Sequence, residues 1–275
     1  MSFRMMTSCM LALFISMAQA EIYRSQDQDG NTVFTDRPGP AAEKVELQSG
    51  PYRYKVELKR VIDGDTLLLE SGEKVRLIGI NTPEIDSRYS QAQPGGEAAS
   101  KWLRQTLHSP DIWLEYDAEQ LDKYDRLLAH VFLESGDYLN ARLLEQGLAM
   151  LTLTPPNLRY ADILIQAQQS AESSVKGVWR LPAYQLKTMA EFKPGSNYAG
   201  WQRWRLTPKT LREGRKYSKL IVSQHLIINI PQDKLALFPP LQSYLEQPLE
   251  VRGWIRRDGN QHHILVKHPS ALIRH

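Results

Sequence analysis

Apolar and polar positions along the chain fall into stretches of different period. Met10 to Met17 is a short apolar run with one charge before it, Arg4, and Ala18-Gln19-Ala20 after it. A charged start, an apolar centre and a small-residue end predict an export signal cleaved after Ala20, and hence a periplasmic or secreted protein. In residues 21–50, Ile22-Tyr23-Arg24 and Thr32-Val33-Phe34 flank a polar turn at Asp27-Gln28-Asp29-Gly30-Asn31, which predicts a small β hairpin domain. Residues 52–182 alternate between the two periods. Strands are expected over 54–61, 66–70, 74–80, 112–116 and 127–133. A helix over 97–107 carries Ala98, Trp102 and Leu103, and Asn140 can cap a short helix that stops at Gly147. A third helix, over 158–175, places Tyr160, Ile163, Leu164, Ala167, Ala171 and Val175 on one face. Pro182 opens a connector, residues 183–200. Beyond it, in residues 201–275, strands are expected over 218–230 and 249–255. A hairpin turn at Arg257-Asp258-Gly259-Asn260 leads into 263–267, giving a small β-rich module, read as a second small barrel. The fold class is α+β, with the strands of 52–182 curling into a small barrel.

Composition narrows this picture. Of 275 residues, 42% are hydrophobic and 24% charged, which excludes wholesale disorder. No apolar run reaches the ~18–20 residues needed to cross a bilayer, so no stable membrane insertion is expected. The single cysteine, Cys9, lies in the export signal, which excludes a disulfide scaffold and a multi-thiolate metal site. Charge is unevenly spread: residues 190–275 hold fourteen basic and six acidic side chains, residues 21–189 nineteen and twenty-five. Trp201, Trp204 and Trp254 lie in the basic part. Basic side chains with interleaved rings suit a polyanion, although a solvated basic face over an ordinary core has the same composition. Adjacent His262 and His263 on a strand face opposite ways and cannot share a zinc ion. The turn after Asp27 lacks the sixth-position glycine and twelfth-position glutamate of an EF-hand loop.

Candidate chemistry gathers between residues 63 and 126. Asp63-Gly64-Asp65-Thr66 sets two carboxylates and a hydroxyl in a tight connection, a pattern that is also a common structural turn. Arg76-Leu77-Ile78-Gly79-Ile80-Asn81-Thr82-Pro83-Glu84 buries an arginine in an apolar strand leading to oxygen donors and a carboxylate. Alternation sets Arg76 with Ile78 and Ile80, opposite Val75 and Leu77. A guanidinium among aliphatics needs an anion, either a substrate or an internal partner such as Glu84. Asp122-Lys123-Tyr124-Asp125-Arg126 supplies a second arginine just before a strand.

These motifs, with Glu145-Gln146-Gly147-Leu148-Ala149 and the helix end before Trp179, resemble the staphylococcal nuclease-like (thermonuclease) family over residues 52–182. The resemblance implies an OB-type five-stranded β-barrel with flanking helices. It also implies Ca2+-dependent cleavage of DNA or RNA phosphodiesters that leaves 3′-phosphate ends, with another divalent metal as an option. By that resemblance Asp65 and Asn81 would ligate the metal through side chains, Thr82 through its carbonyl and Asp63 through water. Glu84 would orient or deprotonate the attacking water, Arg76 and Arg126 would clamp the phosphoryl oxygens, and Lys123 and Tyr124 would contact the neighbouring phosphate. Two positions depart from the pattern. Asn81 stands where the best-known family member has an aspartate ligand, and Met150-Leu151-Thr152-Leu153-Thr154-Pro155-Pro156 has no match to the paired tyrosines of that member. A nucleic-acid-binding module with the activity weakened or lost is the alternative expectation. Residues 21–50 resemble a small N-terminal domain of exported bacterial proteins, with the pattern Tyr-Arg, Asp-Gly, Asp-Arg-Pro, which implies no chemistry.

Overall fold

The computed structural model describes residues 22–26, 32–36, 43–45, 52–86 and 91–274. The expected export signal and the turn at 27–31 lie outside the described residues. The chain forms two compact units, residues 1–51 and 52–275. In the first, β1 (Ile22–Gln26) pairs antiparallel with β2 (Thr32–Thr35), as the hairpin reading expects, and with β3 (Glu43–Val45) on its other side.

The second unit begins with β4 (Tyr54–Val61), β5 (Thr66–Leu69) and β6 (Lys74–Leu77), joined by the expected Asp-Gly and Ser-Gly turns. The two-residue β7 (Ile80–Asn81), α1 (Gly96–Thr106), β8 (Asp111–Leu121), β9 (Leu127–Phe132), α2 (Leu139–Glu145), β10 (Met150–Leu151) and α3 (Ala161–Ser173) follow. Strands β4, β5, β6, β9 and β8 close into a five-stranded barrel with the helices around it. Inward positions such as Leu67, Val75, Leu77, Ile112, Leu114, Ala129 and Val131 are fully or nearly fully buried, the period-2 filling that a small barrel requires. None of the described helices is long and apolar enough to cross a membrane.

Four local features differ from the sequence expectation. The strand over 74–80 breaks after Leu77, where Gly79 adopts φ +78°, so both Ile78 and Ile80 are buried instead of alternating with Leu77. On α1 the buried stripe is Ala99, Ser100 and Leu103, and Ala98 is exposed. On α3 the stripe is Leu164, Ala167, Gln168 and Ala171; Ile163 and Val175 face solvent, because Gln168 turns inward and its Oε1 accepts from Leu151 N at 2.7 Å. Asn140 does not cap α2, whose N-cap is Tyr138. It sits wholly buried, donating from Nδ2 to Ile78 O at 2.9 Å and accepting at Oδ1 from Val131 N at 3.1 Å. That amide supplies two backbone groups with the partners that the strand break would deny them.

Short 3-10 turns at Gly177–Arg180 and Pro182–Tyr184 lead into β11 (Leu186–Thr188) and a further turn at Met189–Glu191. Residues 183–200, read as a connector, thus carry an ordered edge strand and the buried rings of Tyr184 and Phe192. The rest is β12 (Trp201–Leu206), β13 (Thr210–Arg212), β14 (Tyr217–Ser223), β15 (Leu226–Pro231), β16 (Leu249–Asp258), β17 (Gln261–Leu265) and β18 (Leu272–Arg274). Their pairing order is β11-β12-β16-β17-β15-β14-β13, with β18 beside β16. The sheet is therefore open, with β11 and β13 at its edges, where the sequence reading had a second small barrel. The first half of β16 pairs with β12 and its second half with β17, so this one strand joins both parts around a core of Trp204, Leu220, Ile228, Val251 and Ile264.

The barrel and the sheet are locked together. Met150, Ala171, Val178, Trp179, Tyr184 and Trp201 form one apolar cluster drawn from both. Beside it, buried Arg252 donates from Nη1 and Nη2 to the two carboxylate oxygens of Glu172 on α3, at 2.6 and 2.8 Å, and from Nε to Glu250 at 2.6 Å. Burial alone would push Glu250 upward, but bonds and charge from Arg203 and Arg252 outweigh it and hold the carboxyl below its ordinary value.

Candidate active site

The turn between β4 and β5 is shaped by Gly64. A Cβ there would stand 2.6 Å from Thr82 Oγ1 and 2.7 Å from Ala99 Cβ, so only glycine lets this connection press against the Asn81–Thr82 segment and α1. Asp63 Oδ1 accepts from Asp65 N at 3.0 Å, which tightens the turn and leaves both carboxyl groups on it. Burial, then the nearby charge of Asp65, push Asp63 up to about 6.

Asp65 is buried and fully engaged. Its Oδ2 accepts from Thr82 N at 3.0 Å and meets Arg76 Nη2 at 2.9 Å, and its Oδ1 accepts from Thr66 Oγ1 at 3.1 Å. Arg76 reaches out of β6 past the chain break. Its Nη1 donates to Leu77 O at 2.8 Å and Ile80 O at 2.9 Å, and its Nη2 also donates to Asn81 Oδ1 at 3.1 Å. One guanidinium nitrogen thus touches both Asp65 and Asn81, so these residues converge. The internal ion pair that the sequence allowed for, with Glu84 as example, is made to Asp65. Asn81 Nδ2 donates to Thr82 O at 2.9 Å, which brings the fourth predicted group into the cluster.

Glu84 is exposed. Its backbone is pinned on both sides by Gln93, which donates from N to Glu84 O at 2.8 Å and accepts at Oε1 from Glu84 N at 3.2 Å. Gly96 at the start of α1 packs so closely that a Cβ would lie 2.4 Å from Glu84 O. Sequence reasoning passed over Gln93 and Gly96; the Pro94-Gly95-Gly96 run ahead of the helix was the available signal.

β9 runs parallel to β6 with Leu128 beside Arg76, and the second arginine, Arg126, lies two residues before Leu128, in the connection that leads into β9. Its guanidinium is held by Asp122, at 2.8 Å from Nε and 2.7 Å from Nη2. Burial would raise Asp122, but the hydrogen bonds from Arg126 prevail and lower it. Asp122 Oδ1 also accepts from Tyr124 N and Arg126 N, and Asp125 takes φ 59°, a conformation that aspartate tolerates. Tyr124 is 66% exposed, with Lys123 Nζ 4.8 Å from its ring centre.

Asp63, Asp65, Asn81 Oδ1 and Thr82 O offer only hard oxygen donors, and the burial and then the repulsion from Asp65 that raise Asp63 are what a cation would offset. That donor chemistry fits a hard divalent ion. Among the described residues no group of three or more His, Cys, Asp or Glu is placed to hold a metal, consistent with a donor set that includes an amide and a backbone carbonyl.

A profile for staphylococcal nuclease homologues matches residues 74–181, and one for a domain of unknown function (DUF4124) matches residues 9–52. The chain is 41% identical to the thermonuclease of Staphylococcus intermedius over 125 residues, 44% of this chain and 74% of that protein. It is 35% identical to the thermonuclease of Staphylococcus hyicus over 146 residues, 48% of this chain and 85% of that one. With endonuclease YncB of Bacillus subtilis it shares 37% over 134 residues, 47% and 63% of the respective chains.

Proposed function

Since the chain belongs to the staphylococcal nuclease family, we propose that it hydrolyses phosphodiester bonds of DNA, RNA or both through the Asp65–Arg76–Asn81 cluster, with calcium as the metal. The carrying observation is the convergence of Asp65 and Asn81 on one Arg76 nitrogen beside Thr82. A phosphodiester repels nucleophiles, and its transition state gathers charge on oxygen. When bound by Asp65, Asn81 and Thr82, with Asp63 acting through water, a calcium ion supplies the charge that offsets this and acidifies water.

The chain's own groups do the rest. Arg76 is held at Nη1 by two backbone carbonyls, and its Nη2 would turn from Asp65 and Asn81 to a phosphoryl oxygen once the metal takes those ligands. Glu84, fixed at its backbone by Gln93, takes the proton of the attacking water. Arg126 leaves Asp122 to donate to a phosphoryl oxygen, and Lys123 and Tyr124 meet the next phosphate. The apolar run before Ala18-Gln19-Ala20 supports export, and calcium outside the cytoplasm would fill a site with few carboxylates.

Incubation with plasmid and single-stranded DNA, with calcium or with chelator, tests this reading. Metal-dependent breakdown that falls about 100-fold to 1,000-fold in Arg76→Ala or Glu84→Gln is expected, a loss of ~3–4 kcal/mol of barrier stabilisation. Gel retardation without breakdown at any calcium concentration would instead establish a binding module.

A further inference from the structure

Between the barrel and the C-terminal sheet lies a groove of about 580 Å³, within the size range of ligand clefts. One wall comes from the barrel: Lys123 and the stretch Leu151 to Thr154, which lies in the segment with no match to the paired tyrosines of the best-known family member. The other is the outer face of four adjacent strands. Alternation along β16 sends Val251 and Ile255 into the core and Trp254 and Arg256 outward; on β17 it sends Ile264 inward and His263 and Leu265 outward. Arg256 stands directly across from His263, and Leu265 across from Asn229 of β15. Tyr217 of β14 extends the same wall.

Three observations say what this groove accepts. Its described lining contains Lys123, Arg252, Arg256 and Lys267 and not one carboxylate. Of these cations only Arg252 is consumed by ion pairs among the described residues. Two polar atoms of lining residues, Asn229 Oδ1 and Thr152 Oγ1, are buried without a hydrogen-bond partner, one on each wall. The rings of Trp254 and Tyr217 and the 44%-exposed Leu265 add flat and apolar surface between the charges. Unpaired cations and rings in one cleft match the needs of unstacked nucleotides: phosphates to neutralise and bases to stack.

We propose that this groove is a subsite for a single-stranded segment of the polynucleotide whose phosphate is being cleaved, entering past Lys123 and continuing over Trp254, Arg256 and Lys267. The assignment rests on the nuclease reading for its continuity with Lys123. The groove's width is set by the Glu172–Arg252 pair and the Trp179–Trp201 cluster, which hold its walls in place. A duplex, with its bases stacked inward, cannot present them to Trp254. The C-terminal sheet thereby takes over the base contacts that the missing tyrosines would have made on the barrel.

The test measures binding and cleavage separately in the full-length protein. Binding of a fluorescent twelve-nucleotide oligothymidylate is followed by anisotropy in chelator, so that no hydrolysis intervenes. Cleavage with calcium is followed on an aryl phosphodiester of thymidine 5′-phosphate, too short to enter the groove. Trp254→Ala and the surface double variant Arg256→Glu/Lys267→Glu should each weaken oligonucleotide binding roughly tenfold or more. The double variant should also lower the salt slope of log K by about 1.4, for two phosphate contacts. Both should cleave the short ester at the wild-type rate. The double variant changes no buried group and keeps the test valid if Trp254→Ala fails to fold. Oligonucleotide affinity within twofold of wild type in the double variant would overturn the subsite, as would equal competition by a duplex of the same length. A wild-type protein that cleaves nothing yet binds the oligonucleotide through these residues would sink the nuclease reading and leave the groove standing.

Discussion

Asn81 binds Arg76 through its oxygen and Thr82 O through its nitrogen, so the amide spans the two groups. An aspartate at this position would keep the bond to Arg76, lose the donor to Thr82 O and free that carbonyl for a cation. It would also add a negative charge to the donor set. Asn81→Asp should therefore lower the calcium concentration for half-maximal cleavage by roughly an order of magnitude, measured by titrating calcium against DNA breakdown. An unchanged or raised requirement would mean that the amide does not limit metal affinity. The residues of this cluster were legible in sequence because each sits in a short motif that also forms one local turn. The partner of Arg76 was not, since only the close approach of the β4–β5 connection to Thr82 makes Asp65 the nearer anion.

Among the elements, the strand pattern of the barrel was legible because inward positions alternate along most of its length. Helix faces were less so, for a specific reason: Gln168 and Ser100 are buried polar residues, and an apolar stripe drawn without them rotates toward Ile163 or Ala98. The β4–β5 connection invites a direct test. Gly64→Ala forces a methyl group into Thr82 and Ala99, which should cost ~1–3 kcal/mol in chemical denaturation and shift Asp63 and Asp65 away from Thr82. Activity should fall more than stability does; wild-type turnover in Gly64→Ala would show that this approach is dispensable. On barrel strand β9, burial pushes His130 below its ordinary 6.5, against the pull of Asp117, while its Nδ1 meets Tyr138 OH at 2.6 Å. The unfolded chain takes up this proton near 6.5 and the folded one resists. The contribution of His130 is thus intact above 6.5 and is lost as pH falls through that value toward the folded one. Denaturation of wild type and His130→Phe at pH 8 and pH 5 should show the wild type losing more stability than the variant on acidification; parallel losses would contradict it. Comparing the two proteins cancels Asp63, whose raised value acts with the opposite sign.

Across the whole molecule, the net −6 of residues 21–189 and +8 of residues 190–275 suggested a catalytic part and a basic part joined by a connector. The structure joins them by burial instead. Nothing in the sequence marked Glu172 and Arg252 as partners, because they lie eighty residues apart and each, read locally, is an ordinary charged residue. Removing a partner from a buried pair costs ~3–5 kcal/mol; Glu172 is partly exposed and Arg252 keeps Glu250, so Glu172→Gln should cost about 2–3 kcal/mol. Thermal unfolding should then separate into two transitions as the sheet releases from the barrel. A single unshifted transition would show that the tryptophan cluster alone suffices.

The single-glycine contacts at the far end of α3 have a bearing on how such a protein can be re-engineered. Val178 N donates to Gly147 O at 2.8 Å, and a Cβ on Gly177 would lie 2.1 Å from that oxygen. The loop after α2 and the exit from α3 are therefore seated backbone against backbone immediately before Trp179. A chimera that grafts this C-terminal sheet onto another barrel has to inherit both glycines along with the tryptophan, because any side chain inserted at that seam would tilt the graft and misalign the groove above it.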